Sequence, residues 1–398
     1  MLSQLPPSLI GPVEGRKPLH EWRGLMIDSA RTCFSVSTIE LFIDLAHRYG
    51  FNRLHWHLTD DAGWRFDVPD YPRLTEVAAY RPRSRFDNYT NEAGETIERA
   101  AQEAPSKWTA GYYTDSEIQH LIAYAADRGI EILPEVDIPG HMMAAIEAYP
   151  QFGRPNSAPL PKHSMRDDQR WPAQNDLLWP TDEALEFVLT AVDRIIDLFP
   201  GSTIHVGGDE CAYDQWATDP DIDKWLKLRG LKSVPEIQTW FLDAVADRVR
   251  ARGRRVAGWD EICQITDDPN ILMFAWDEER GMNRIAQSIN PYVYADARSL
   301  YLNRIDPDAP QQQKGMIPGI SVADILSTPW PEAEDSRCIG VQACLWSEFI
   351  LDEADLLDMA FPRLLAVSER MFNPQAADNV ERVEAEYEVL TRALKTRQ

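Results

Sequence analysis

The stretch HVGGDE, residues 205–210, sets Asp209 and Glu210 side by side behind two glycines. Adjacent carboxylates repel when both are ionised, which favours one staying protonated and offers an acid and an anion in one place. Such a pair is a candidate for acid–base chemistry. Two solvated surface acids would read the same way, so the assignment depends on what else converges there. Acids and tryptophans recur together along the chain, in HWHLTDDAGW (55–64), EVDIPGH (135–141), GWDE (258–261), AWDEE (275–279), YAD (294–296) and LWSE (345–348). Large aromatics are usual core fillers. Trp259, Trp276 and Trp346 stand at equivalent places beside acids, however, and flat indole faces match the C–H faces of a pyranose while carboxylates accept from its hydroxyls. A carbohydrate pocket is the chemistry these residues suit.

The elements that must position them alternate. Short apolar runs at 22–28, 53–58, 130–137, 202–208, 254–259, 270–276, 291–296 and 338–346 read as strands. Between several of them lie amphipathic stretches at 37–50, 115–129, 181–199 and 234–253 that read as helices, with Ser37, Thr181 and Pro235 as start signals. Eight strands with intervening helices predict an α/β fold, a single (β/α)8 TIM barrel. No G-x-G-x-x-G follows the first strand, which argues against a dinucleotide-binding sheet. Residues 1–20 read as a lead-in, 21–375 as the barrel and 376–398 as a terminal helix packed on it. In such barrels the site forms at the carboxyl ends of the strands. Each acid and tryptophan stretch falls at such an end.

The bulk composition narrows the partners. The chain has 398 residues and a formal net charge of −24, which disfavours nucleic acid and anionic membrane surfaces. Five scattered cysteines without framework spacing read as reduced thiols. No signal-peptide pattern or membrane-length apolar run is visible, so a cytoplasmic location is the expectation.

Taken in order, RGLMIDSAR (23–31), LHWHLTDDAGWR (54–65), LPEVDIPGH (133–141), HVGGDE, GWDE, YAD and LWSE resemble glycoside hydrolase family 20, the β-N-acetylhexosaminidases. The resemblance implies a retaining exo-hydrolase that removes terminal GlcNAc or GalNAc from an oligosaccharide or glycoconjugate. Its nucleophile would be the substrate's own 2-acetamido oxygen, and the intermediate an oxazolinium ion. By the same resemblance Glu210 is the general acid and base, and Asp209 holds the acetamido group. Asp60 and His141 orient Glu210, while Tyr294 hydrogen-bonds the acetamido oxygen. Trp259, Trp276 and Trp346 wall the acetamido pocket, and Arg23, Asp296 and Glu348 bind ring hydroxyls. Asp61, Glu135 and Asp137 are expected to be supporting groups. No metal or organic cofactor is implied.

The sequence departs from the family pattern in two places. The α+β domain that usually precedes the barrel has no counterpart in the short lead-in. The loop after Asp296 presents no tryptophan that aligns with the family's, Trp330 matching by type alone, and the proline-rich stretch 151–180 is expected to edge the same mouth. Two other functions stay open on the residues themselves. His55, His57, His141 and His205 among acids could serve a metal-dependent barrel hydrolase, and the tryptophans alone could serve a sugar-binding barrel without catalysis.

Overall fold

The computed structural model describes residues 5–80, 88–90, 96–98, 110–155, 177–266, 268–309, 315–331 and 335–395. Most of the proline-rich stretch expected at the mouth, 156–176, lies outside them. Eight parallel strands close into a barrel. They are β1 (Trp22–Asp28), β2 (Arg53–His57), β3 (Glu131–Glu135), β4 (Thr203–His205), β5 (Arg255–Trp259), β6 (Leu272–Ala275), β7 (Tyr292–Tyr294) and β8 (Cys338–Leu345). β1 pairs with both β2 and β8, which closes the ring.

Strand alternation sorts the side chains into two cores. Leu25, Ile27, Leu54 and Trp56 face the helices and join the large outer core. Met26, Leu133, Ala257, Trp259, Phe274 and Val293 face inward and form a smaller core in the barrel. His55 and His57 take the inward positions of β2, so imidazoles fill part of the interior and must find partners there.

The helices begin where short polar side chains can satisfy their first amides. Ser35, two residues before the expected Ser37, caps Val36–Arg48 by accepting from the Thr38 amide. Thr181 caps Asp182–Leu198, and Pro235 opens Pro235–Ala251. The connection from β5 to β6 is a 3-10 turn, Asp260–Gln264, in place of an α-helix. The lead-in is tied to the barrel base by Arg16, 2.7 Å from Glu369. It also meets the terminal helix Val380–Lys395, where the Leu9 amide donates to Glu386 at 2.9 Å.

One strand differs from the sequence reading in a way that matters for the site. β7 stops at Tyr294, the chain turns, and residues 300–302 return beside β8. There Leu302 donates to the Cys344 carbonyl and Cys344 to the Leu300 carbonyl, both at 2.8 Å. Among the described residues no helix is long and apolar enough to cross a membrane.

Candidate active site

Directly beyond β4 the backbone leaves strand geometry. Gly207 and Gly208 have φ of 62° and 92°, and Glu210 follows at 49°. A Cβ on Gly207 would lie 1.8 Å from an Asp137 carboxylate oxygen, so only glycine fits. The Gly208 peptide is held on both sides. Its N–H donates to Asp137 at 2.9 Å, and its carbonyl accepts from the Gln238 amide at 2.7 Å. Gln238 in turn accepts from the Tyr213 hydroxyl at 2.5 Å. This clamp fixes a left-handed glutamate at the mouth, where backbone strain is sustained only if its surroundings enforce it.

The two adjacent acids end in different environments. The Glu210 side chain is 35% exposed, whereas that of Asp209 is 11% exposed. Asp209 Oδ1 is buried without a hydrogen-bond partner among the described residues. Burial, then the charges of Asp137, Glu135 and Glu210, push its carboxyl well above the ordinary range, against the opposing pull of His141. His141 reaches both acids, its Nε2 lying 3.4 Å from Glu210 and 3.7 Å from Asp209. On its other side Nδ1 meets Asp61 at 3.3 Å. Burial disfavours a charge on His141, but Asp60, Asp61 and Glu210 outweigh it and hold its pKa well above usual.

Beneath the pair lies a polar floor built on Glu135, fully buried at the end of β3. Its carboxylate accepts from His57 Nδ1 at 2.5 Å and from Trp259 Nε1 at 2.8 Å, and lies 2.9 Å from His205 Nδ1. His57 passes the connection on, with Nε2 2.9 Å from Asp60. Asp60 also binds Arg31 at 2.8 Å. The His57 pKa stands well above usual because Glu135 and Asp60 outweigh burial, while His55, where burial wins over Glu135, falls to about 4. Three side-chain sets have the proximity to hold a cation, namely His55–Glu135–His205, Asp60–Asp61–His141 and Asp137–His141–Asp209. In the first, the Glu135 carboxylate is already engaged by His57 and Trp259.

An aromatic wall completes the pocket. Trp276 stacks on Tyr301 with centroids 6.0 Å apart and planes at 9°. Tyr301 is 5.9 Å from Trp346, which lies 5.7 Å from Trp259. Arg31 sits over the Trp346 ring at 5.2 Å, binds Asp28 at 3.0 Å and lies 4.0 Å from Glu348. Glu348 accepts from the Asn303 amide at 3.1 Å. A guanidinium, a carboxylate and an amide are thus gathered beside the aromatic wall.

Residues 20–375 match the description "Glycosyl hydrolase family 20, catalytic domain". The chain belongs to this family. It is 30% identical to a β-hexosaminidase of Porphyromonas gingivalis over 90% of its own length and 44% of that protein. It is 30% identical to one from Akkermansia muciniphila over 94% of its length and 74% of that protein. The fold superposes with a TM-score of 0.79 on a family 20 exo-β-N-acetylglucosaminidase from Vibrio harveyi solved with N-acetylglucosamine. That enzyme is 28% identical, with 94% of this chain and 58% of that one covered. The chain thus spans about half the length of several relatives that it matches.

Of the site residues expected from sequence, the family 20 fold brings Asp209, Glu210, His141, Trp259, Trp276, Trp346 and Glu348 to one end of the barrel. It corrects three others. Arg23 lies near the start of β1, at the opposite end, where it donates to the carbonyls of Gly50 at 2.7 Å and His20 at 2.8 Å. The arginine at the pocket is Arg31, past the end of the same strand. Tyr294 belongs to the outer core, because Val293 and Ala295 take the inward positions of that strand. Asp296 is consumed as a turn cap, accepting from the Ser299 amide and hydroxyl at 3.1 and 2.8 Å. Tyr301 and Asn303, on the returning segment, occupy the pocket in their stead. Asp60 stays with the first group, 3.7 Å from His141, whose nearer carboxylate is Asp61 at 3.3 Å. Trp330 lies under Arg370, 4.2 Å from its guanidinium, and is spent in packing.

Proposed function

We propose that this chain is a retaining exo-β-N-acetylhexosaminidase that releases terminal GlcNAc or GalNAc from an oligosaccharide or glycoconjugate by substrate-assisted catalysis. The observation that carries the reading is the unlike pair after β4: an exposed Glu210 at the mouth and, beside it, a buried Asp209 with an unpartnered oxygen. A buried polar atom left without a partner costs about 1–3 kcal/mol, which a ligand N–H recovers. An acetamido N–H is such a donor.

In the first step the acetamido carbonyl oxygen attacks the anomeric carbon as the glycosidic bond breaks. The Glu210 proton passes to the departing oxygen, and the sugar closes to an oxazolinium ion. Positive charge develops beside Asp209, whose carboxylate is costly in the resting site and is stabilised as that cation forms. An interaction stronger in the transition state than in the ground state accelerates the step. Glu210 then takes a proton from water, the water oxygen bonds to the anomeric carbon, and the ring opens to a product with the starting configuration. In this reading Tyr301, between Trp276 and Trp346, aligns the acetamido oxygen, and Arg31, Glu348 and Asn303 bind the ring hydroxyls.

Hydrolysis of an aryl N-acetyl-β-glucosaminide and the matching β-glucoside tests the reading. The wild type should cleave the first and not the second, and Glu210→Gln and Asp209→Asn should each lose at least about 10²-fold in kcat. Equal cleavage of both substrates would remove the acetamido group as nucleophile.

A further inference from the structure

The GWDE stretch contributes more than Trp259. The two acids that follow it converge on Trp276, which belongs to the next strand end. Asp260, fully buried, accepts from the Trp276 backbone amide at 2.8 Å and from Arg284 at 2.6 Å. Glu261 accepts from the indole N–H of the same tryptophan at 2.9 Å. One acid therefore fixes the backbone of Trp276 and its neighbour fixes the ring. An indole held only by packing can rotate about two side-chain torsions. A hydrogen bond at Nε1, opposite a ring stacked at 9° on Tyr301, removes that freedom. Burial and the charges of Asp260 and Asp209 push the Glu261 carboxyl well above the ordinary range. Its neutral form still presents a carbonyl oxygen to the indole.

We propose that Glu261 is a positioning residue that, by locking Trp276 against Tyr301, sets how large an N-acyl group the pocket accepts. This rests on the assignment of the pocket to an acetamido group. The wall is then a fixed stop at the acyl methyl. Without the Glu261 acceptor the indole yields, and a longer acyl chain enters at the expense of a well-aligned acetyl group.

The test compares aryl N-acetyl- and N-propanoyl-β-glucosaminides with the wild type, Glu261→Ala, Glu261→Met, Glu261→Gln, Trp276→Phe and the double variant Glu261→Ala/Trp276→Phe. One methylene in an apolar pocket is worth about tenfold or more. The kcat/KM ratio of propanoyl to acetyl substrate should rise by about fivefold or more in Glu261→Ala and Glu261→Met, chiefly through KM for the acetyl substrate. Glu261→Gln, which keeps an acceptor oxygen, should restore the wild-type ratio. In the Trp276→Phe background, which lacks the N–H, removing Glu261 should change nothing further. Glu261→Met preserves side-chain volume, so a folding loss in the alanine variant leaves the comparison intact. An unchanged ratio in the folded variants, or an equal additional change in the Trp276→Phe background, would overturn the proposal while leaving the hydrolase reading untouched. A wild type inactive on both substrates would remove the hydrolase reading, and this proposal with it.

Discussion

Arg23 enters β1 and Arg31 follows it, so one strand carries the same side chain to both ends of the barrel. At the amino end, Arg23 donates to backbone carbonyls and lies over Phe372, and burial beside Arg53 lowers its pKa. At the carboxyl end, Arg31 is surrounded by Asp60, Asp28 and Glu348, which outweigh burial and raise its pKa. The first arginine closes a loop against the barrel base, a role that neutral donors could share. The second holds three acids in a small buried volume, where its charge cannot be spared. Residue type does not separate the two; what faces them does.

The sharpest way to break this comparison is the same conservative change at both ends. Lysine keeps the charge and loses the planar fork. Arg31→Lys should lower kcat/KM by about 10²-fold, because one ammonium cannot hold Asp28, Asp60 and a sugar hydroxyl together. Arg23→Lys should leave kcat/KM within about twofold and lower Tm by a few degrees. Steady-state kinetics and thermal melts on both variants decide this, and equal kinetic losses would place the two arginines in one functional class.

A similar contrast holds for the two tyrosines. Tyr301→Phe should reduce kcat by roughly 10- to 100-fold, through a lost hydrogen bond to the acyl oxygen. Tyr294→Phe, in the outer core, should stay within about twofold of the wild type. Kinetics on the N-acetyl substrate would separate them, and a larger loss at Tyr294 would contradict the placement of the returning segment.

A last contrast concerns stability and should have the smallest effect on turnover. Burial, reinforced by Glu135, raises Asp137 from its ordinary 3.8 to about 7, so the folded chain binds that proton more tightly than the unfolded chain. The stability it contributes is fully present below about pH 4 and is lost as the pH rises through about 7. Asp137→Asn keeps an acceptor for the Gly208 amide and removes the proton. Its stability relative to the wild type should therefore improve by about 1 kcal/mol per pH unit across that window. Denaturant melts at several pH values would show it, and a constant difference would mean that Asp137 titrates normally.

Much of this was legible in the chain because periodicity dictates where side chains go. The eight apolar runs and their helices marked the barrel, and the acids behind the Gly-Gly pair marked the mouth. What escaped was local geometry. Arg23 and Arg31 belong to one continuous stretch, and only the end of β1 at Asp28 says which reaches the pocket. Tyr294 and Tyr301 flank a break in β7 that no hydrophobic pattern announces, since the turn is closed by Asp296 capping Ser299. Gln238 lies within a helix and gave no signal, because its role depends on a glycine carbonyl thirty residues away in the chain. Motifs located the chemistry, and strand endings chose the residues.

The central claim is that the nucleophile belongs to the substrate and that Asp209 exists to serve it. The most direct measurement is kcat/KM of the wild type on aryl glucosaminides whose N-acyl group carries zero, one, two or three fluorines. Each fluorine weakens the acyl oxygen without changing the leaving group. Participation of that oxygen predicts a steep fall, totalling about 10²-fold or more across the series. A flat series would mean that a protein carboxylate attacks the anomeric carbon, and the role assigned to Asp209 would be wrong.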